Sequence, residues 1–153
     1  MLMEKINLIL DFIKTHTEYT TGQTTNIDSM SGQEFEKYCA SLLSSYGFVN
    51  IEITKGSGDQ GVDITGYINN VKCAIQCKRH SKKLSNKPIQ EVFTGKNYYN
   101  CQSAIVITNN YFTNGAIELA ETNDVTLWDR DNLLQLINLY NKQWDELLKE
   151  IEI

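Results

Sequence analysis

Two segments that alternate apolar and polar residues, ITGYI and VKCAIQCK, constrain the fold of this chain more than any other feature. They are separated by Asn69-Asn70, and asparagine tolerates the positive φ angles that a two-residue hairpin turn requires. When Ile68 and Val71 flank that turn, the numbers of opposite residues sum to 139, and Asp63 lies opposite Gln76. The sequence therefore predicts a β-hairpin with one defined register.

This register gives the predicted hairpin an apolar face and a polar face. The apolar face carries Ile64, Gly66, Ile68, Val71, Cys73, Ile75 and Cys77, a set suited to burial. The other face carries Asp63, Thr65, Tyr67, Lys72, Ala74, Gln76 and Lys78. Lys78 is a diagonal neighbour of Asp63, within reach of a long side chain. A carboxylate, an amide and an ammonium group are therefore expected at one end of the hairpin.

The segments around the hairpin predict one sheet flanked by helices. Residues 49–53, SAIVIT and VTLWD add strands, about five in all with the hairpin. A helix is expected to begin after Ser31, with Glu34 as its capping-box partner, and to end at Gly47. Further helices are predicted over residues 88–99, over NGAIELAET and over residues 131–150. Because helices alternate with strands after the hairpin, we expect a mixed α/β sheet with a long C-terminal helix.

The first thirty residues differ from the rest in pattern. Residues 3–14 have the apolar spacing of an amphipathic helix, and the polar, threonine-rich THTEYTTGQTTNIDS follows. We therefore expect an appendage over residues 1–30 and one domain over residues 31–153. No apolar run approaches the roughly 18 residues that span a bilayer, and the acidic N-terminus is unlike a secretory signal. The protein is accordingly expected to be cytoplasmic and not to bind membranes, with its four scattered cysteines reduced.

Positive charge is concentrated in one part of a chain that is acidic overall. The formal net charge is -5, yet residues 72 to 96 contain seven basic residues and one acidic residue, a local net charge of +6. Such a cluster predicts phosphate binding, although a solvated surface loop is the alternative. The candidate DNA-binding residues of this cluster are Arg79, His80, Lys82, Lys83 and Lys87.

The residues at the end of the hairpin suit chemistry on a phosphodiester. Asp63 can supply an anionic oxygen to Mg²⁺, and the amide oxygen of Gln76 can be a second ligand. Lys78 can orient or help to deprotonate an attacking water. The alternative is a surface salt bridge between Asp63 and Lys78, with Gln76 uninvolved.

Several motifs together carry a resemblance to a known family. GSGDQGVDI and AIQCKRH are similar to the Asp and Gln-x-Lys core of the Mrr-type branch of the restriction-endonuclease-like nucleases, the PD-(D/E)-x-K superfamily. The segments SGQEFEKYCASLLSSYGF, KPIQEVFTGKNYY and VITNNYFTNGAIELAETNDVTLWDRDNLLQLI agree with that branch in order and spacing. The resemblance covers about residues 31 to 137. It implies a restriction-endonuclease-like fold and a metal-dependent DNA endonuclease, with a role in restriction of foreign DNA.

The resemblance also implies a role for individual residues. Asp63 is implied as the principal metal ligand, Gln76 as the second ligand and Lys78 as the catalytic lysine. Glu36 would reach into the site from its helix, and Gln90 would support it. Two residues of the glycine-rich turn, Gly58 and Gln60, are added to the expected DNA-binding set, since glycine lets a DNA backbone approach closely.

Cofactor and partners follow from the same resemblance. Mg²⁺ is the expected cofactor, with Mn²⁺ as a substitute. DNA is the expected ligand, and a homodimer is expected because one site cuts one strand; a partner protein for target recognition is the further possibility. Most of the superfamily has an acidic residue where this chain has Gln76, so weak Mg²⁺ binding is expected until a DNA phosphate arrives. Two alternatives remain open: a DNA-binding module of a defence or repair complex, and a protein-interaction domain.

Overall fold

The computed structural model of the protein describes residues 2–4, 6–7, 26–54 and 60–151. A 3-10 turn, Ile27–Ser29, comes before the first complete helix. The helices are α1 (Gly32–Tyr46), α2 (Lys87–Tyr98), α3 (Asn114–Thr122) and α4 (Arg130–Ile151). The strands are β1 (Val49–Ile53), β2 (Ile64–Ile68), β3 (Val71–Lys78), β4 (Ser103–Thr108) and β5 (Val125–Trp128).

The five strands form one mixed sheet in the order β1-β2-β3-β4-β5. The pairs β1-β2 and β2-β3 are antiparallel, whereas β3-β4 and β4-β5 are parallel. Parallel neighbours need a crossover, and α2 and α3 supply the two that are required. The predicted mixed sheet flanked by helices, with a long C-terminal helix, is confirmed.

The hairpin has the register that its turn predicts. Ile64 pairs with Ile75 and Ile68 with Val71, and both asparagines of the turn have positive φ, 49° and 65°. The regular pairing stops at Ile64. Beyond it the backbone N–H of Asp63 donates to the carbonyl of Ile75 at 2.9 Å. The chain therefore leaves the ladder at Asp63, beside the C-terminal half of β3.

Helices cover both faces of the sheet. α1 and α4 pack on one face, in a core that includes Cys73, Ile75 and Cys77 of the hairpin. α2 and α3 pack on the other face, in a core that includes Val62 and Ala74. The polar face of the hairpin is therefore covered by α2 near its end and is not an ordinary surface.

Local signals set the first helix as expected, and two residues just before it are buried in the same core. Ser31 Oγ accepts from the N–H of Glu34 at 3.1 Å, Glu34 Oε1 accepts from the N–H of Ser31 at 3.2 Å, and α1 stops at Gly47, where φ is 125°. Ile27 and Met30 are buried in the core with α1.

Residues 2–4 and 6–7 are helical, and most of the helix predicted over residues 3–14 lies outside the described residues. Among the helices that the structure describes, none has the length and apolar character needed to cross a membrane. All four cysteines are described; each is buried and none forms a disulfide.

Candidate active site

Asp63 lies where the chain enters β2 and is held by its neighbours on both sides. Its carboxylate oxygen Oδ2 accepts from the N–H of Cys77 at 2.7 Å, and its carbonyl accepts from the N–H of Thr54 at 2.9 Å. The residue is 9% exposed. At the end of the hairpin, the carboxylate thus accepts a hydrogen bond from a strand N–H, as a backbone carbonyl would in a continued strand pair. This bond fixes the carboxylate of Asp63 next to Gln76 and Lys78.

Gln76 projects from β3 toward α2 and is 2% exposed. Its amide Nε2 donates to Glu91 Oε2 at 2.8 Å. Its amide oxygen, Oε1, is buried and has no hydrogen-bond partner among the described residues. Buried oxygens are nearly always paired, and leaving one unpaired costs about 1–3 kcal/mol. An amide oxygen in that condition next to a carboxylate suits a hard divalent cation.

Glu91 is the side chain of α2 that reaches the site, and sequence reasoning did not assign it a role. Gln90, the residue predicted to support the site, is exposed on the helix. One signal in the sequence pointed to Glu91, because it is the sole acidic residue between positions 72 and 96. Its second oxygen, Oε1, lies 3.8 Å from Lys87 Nζ.

Lys78 follows at the end of β3, half-buried, and opens onto a cleft of about 230 Å³. We call this the cationic cleft. It is lined by Lys78, His80, Lys83, Leu84, Ser85, Lys87, Pro88 and Glu91. Four of these side chains are lysine or histidine. They give the cleft, which lies next to the Asp63-Gln76 pair, a positive electrostatic potential that attracts a phosphate group.

Glu36 approaches from α1, on the opposite face of the sheet from α2. It is half-buried. The pKa of the Cys77 thiol is raised well above its usual range, mainly by its hydrogen bond with Cys39 and by burial, and the charges of Asp63 and Glu36 act in the same direction. The two carboxylates therefore lie close enough to Cys77 for their charges to act on the same thiol.

The predicted DNA-binding residues divide into two groups. His80, Lys82, Lys83 and Lys87 are exposed around the cationic cleft. Arg79 faces the other way: its Nη1 donates to the carbonyl of Asp28 at 3.3 Å, and its Nε is buried without a partner among the described residues. Arg79 therefore contacts the turn before α1.

Asp28 links that turn to α4. Its carboxylate accepts from Arg130 Nη1 at 2.8 Å and from Asn109 Nδ2 at 2.9 Å. The pKa of Asp28 is lowered, first by the hydrogen bond from Arg130 and then by the one from Asn109, and the pKa of Arg130 is raised by the same contact. A wider cleft of about 400 Å³ lies beside these residues and is also lined by Arg79, His80 and Tyr111.

The glycine-rich turn reaches the described part of the chain at Gln60, which is exposed with φ 59°; Gly58 lies outside the described residues. Gly61 has φ +75°, and a Cβ atom there would lie 2.8 Å from Glu91 Cβ. At this position glycine is needed for close packing on α2, which explains it without an approaching DNA backbone.

Any cation at this site would need ligands besides acidic side chains. In the part of the chain that the structure describes, no three His, Cys, Asp or Glu side chains cluster closely enough to hold a metal ion. Asp63 and the unpaired oxygen of Gln76 remain as an oxygen pair, and phosphate oxygens and waters would complete the coordination.

The mixed five-stranded sheet with its flanking helices is a restriction-endonuclease fold. A family model named Mrr_cat and described as a restriction endonuclease matches residues 27–137. The match covers most of the chain, and the chain belongs to this family. No curated protein matches it.

Three solved structures have a similar fold. AF1548, described as a protein of unknown function, is 18% identical with a TM-score of 0.54, covering 68% of this chain and 58% of its own. The DNA modification-dependent restriction endonuclease AspBHI is 15% identical with a TM-score of 0.53, covering 76% and 35%. The MspJI restriction endonuclease, in complex with a 27-mer oligonucleotide, is 17% identical with a TM-score of 0.51, covering 82% and 30%. The chain thus spans 58% or less of each of these proteins.

Proposed function

We propose that this chain is a divalent-metal-dependent DNA endonuclease that takes part in restriction of foreign DNA. The observation that carries the proposal is the buried amide oxygen of Gln76, which has no hydrogen-bond partner among the described residues and belongs to the residue before Cys77, whose N–H donates to the carboxylate of Asp63. Membership of a restriction-endonuclease family supports the reaction class, and the cationic cleft supports a phosphodiester substrate.

The residues present fit Mg²⁺ as the cofactor, with Mn²⁺ as its substitute. Asp63 and Gln76 would hold the ion through oxygen atoms, which Mg²⁺ prefers. When bound, the ion supplies Lewis-acid polarisation of the scissile phosphate. Since Asp63 is the one anionic ligand of this pair, affinity for the ion depends on the negative charge that a DNA phosphate adds.

Lys78 acts directly on the reacting atoms, and Glu36 acts on Lys78 or on the attacking water. The ammonium group of Lys78, at the mouth of the cationic cleft, orients the attacking water and stabilises the charge that develops on the phosphoryl oxygens. The carboxylate of Glu36, on α1, holds this lysine or the attacking water in position. His80, Lys82, Lys83 and Lys87 hold neighbouring phosphates.

DNA is the proposed substrate. The printed descriptions of two similar structures support it, since AspBHI is a DNA modification-dependent restriction endonuclease and MspJI was solved with an oligonucleotide. One site cleaves one strand, so a homodimer or a partner protein is proposed for double-strand cleavage and target choice.

Cleavage of plasmid DNA tests this function. Methylated and unmethylated plasmids are incubated with Mg²⁺ or Mn²⁺, and nicked and linear products are quantified. Asp63→Asn and Lys78→Ala are expected to reduce the rate by about 100-fold or more, because each removes a group that acts on the reacting phosphate. Asp145→Asn, which makes the same charge change as Asp63→Asn on the exposed side of α4, is the matched control and should cleave like the wild type.

DNA binding separates the proposal from its alternatives. Asp63→Asn and Lys78→Ala should still bind duplex DNA at low salt, because Lys82, Lys83 and Lys87 are intact in both variants. A wild type that binds DNA but cleaves none of the plasmids would indicate a DNA-binding module. A wild type without DNA affinity at low salt would leave a protein-interaction domain.

A further inference from the structure

Glu91 determines which end of the Gln76 amide points toward it. A carboxylate accepts hydrogen bonds and an amide nitrogen donates them, and Glu91 Oε2 and Gln76 Nε2 are 2.8 Å apart. A flipped amide would place its oxygen against the carboxylate, with no proton between the two oxygens. The contact therefore selects one orientation, in which Oε1 is turned away from Glu91.

We infer that Glu91 is a positioning residue that presents the amide oxygen of Gln76 to the divalent cation of the nuclease site. The role rests on the proposed function, because Oε1 needs a cation to serve. It explains why the buried oxygen has no hydrogen-bond partner among the described residues while the nitrogen of the same amide makes a short, charge-assisted hydrogen bond.

The helix that carries Glu91 is held tightly against the site. The chain at Gly61 passes so close that an added Cβ would lie 2.9 Å from the carbonyl oxygen of Glu91. The next residue, Val92, is fully buried, and Gly95 packs on the backbone of Gln60. Since the backbone of Glu91 has little room to move, the position from which its carboxylate reaches Gln76 is fixed, as precise ligand placement requires.

The contact also explains how an amide can stand where an acidic residue is usual. A carboxylate at position 76 would face the carboxylate of Glu91, and two carboxylates 2.8 Å apart repel each other where the amide and the carboxylate form a hydrogen bond. An acidic residue at position 76 therefore requires a neutral hydrogen-bond donor at position 91.

An exchange of the two side chains tests this role. The variants are Glu91→Gln, Gln76→Glu and the double variant that carries both, with Glu118→Gln on the exposed side of α3 as a matched control. Mn²⁺ binding is measured by electron paramagnetic resonance with each protein bound to a phosphorothioate duplex that resists cleavage. Circular dichroism verifies that each variant is folded.

Glu91→Gln is expected to weaken Mn²⁺ binding by about 10-fold, the usual effect of losing a partner that orients a ligand. Gln76→Glu should bind Mn²⁺ weakly, because the carboxylate of Glu91 repels the new carboxylate and does not hold it toward the cation. In the double variant the amide at 91 donates to the carboxylate at 76, so most of the affinity returns. Glu118→Gln should match the wild type.

The nitrogen-proton signals of the Gln76 side chain, identified by their loss in Gln76→Glu, give a readout without metal and should shift in Glu91→Gln. If the wild type binds Mn²⁺ and cleaves DNA while Glu91→Gln binds as tightly, the role of Glu91 is overturned and the nuclease stands. The role of Glu91 is also overturned if the double variant binds Mn²⁺ no more tightly than the weaker of the two single variants. A wild type that neither binds Mn²⁺ nor cleaves overturns both.

Discussion

The two ends of the Gln76 amide lie in different environments, and the site depends on that difference. The nitrogen has a carboxylate partner on α2, and the oxygen is buried with none among the described residues. Cys77, the next residue, connects the two faces of the sheet: its N–H donates to Asp63, while its thiol lies in the core against α1. A single dipeptide of β3 thus supplies the amide of the proposed metal site and a structural contact.

At the scale of the residue, chemical modification tests the burial of the Cys77 thiol. Its pKa is raised by the hydrogen bond with Cys39 and by burial, so the thiol stays protonated at neutral pH and is a poor nucleophile. In the native protein, Cys39 and Cys77 should resist iodoacetamide, and both should be alkylated after unfolding in guanidinium chloride. Mass spectrometry of tryptic peptides reads each site. Rapid alkylation of Cys77 in the folded protein would contradict the assigned burial.

The raised pKa of Cys77 also predicts the direction in which the stability of the protein changes with pH. Because the folded state holds the Cys77 proton more tightly than the unfolded state, this thiol favours folding less as pH rises above the unfolded pKa of about 9. The free energy of unfolding should therefore fall in that alkaline range, and less so in Cys77→Ala. Urea unfolding at pH 7 and pH 10 measures the difference.

At the scale of elements, the packing of α2 on the entry to β2 decides where the site forms. The helix carries Gly95 on its buried side, and a Cβ there would meet the carbonyl oxygen of Gln60 and lie 2.7 Å from Val62 Cγ2. Glycine normally weakens a helix, so its presence inside α2 reflects this close approach. The same approach brings Glu91 to Gln76.

Gly95→Ala tests that packing. Alanine is the better helix former by about 1 kcal/mol, yet the clash with the backbone of Gln60 should outweigh it and destabilise the protein by about 1–3 kcal/mol. Gly115→Ala on α3 is the matched control, because its Cβ would meet Asn86 Oδ1 at an ordinary 3.5 Å. That variant should be neutral or slightly more stable. Urea denaturation of both variants gives the comparison, and a stabilised Gly95→Ala would contradict the tight contact.

At the scale of the whole molecule, Asp28 joins segments that are far apart in sequence. It receives two hydrogen bonds from Arg130, 102 residues later, and one from Asn109 at the end of β4. Arg79, at the end of β3, donates to the carbonyl of the same residue. Asp28 therefore connects the turn before α1 to the start of α4 and to the C-terminal ends of β3 and β4, next to the site.

Acid unfolding of Asp28→Asn tests this connection. The pKa of Asp28 is lower in the folded protein than its ordinary 3.8, so its ion pair stabilises the fold above that pH and ceases to do so as pH falls through the folded value. Since both side chains are partly exposed, Asp28→Asn should cost about 0.5–1 kcal/mol at pH 7. The difference from the wild type should shrink below pH 3.8. Asp145→Asn, on the exposed side of α4, is the control, and equal effects of the two variants at pH 7 would exclude a special role for Asp28.

The sequence by itself determined the hairpin and most of the fold. The register of the hairpin follows from the alternation of its strands and from Asn69-Asn70, which are local features, and the same is true of the capping box at Ser31. The juxtaposition of Asp63 and Gln76 was predictable for this reason, because residues in one hairpin are brought together by a two-residue turn.

The tertiary structure alone decided what surrounds those residues. Glu91 meets Gln76, and Arg79 turns to Asp28 and away from the cationic cleft, through contacts spanning 15 and 51 residues of sequence. Periodicity places a residue on a face of its own helix or strand, but it carries no information on which face of another element lies opposite. That choice comes from packing, here from the close approach of α2 to the chain at Gly61 and Gly95.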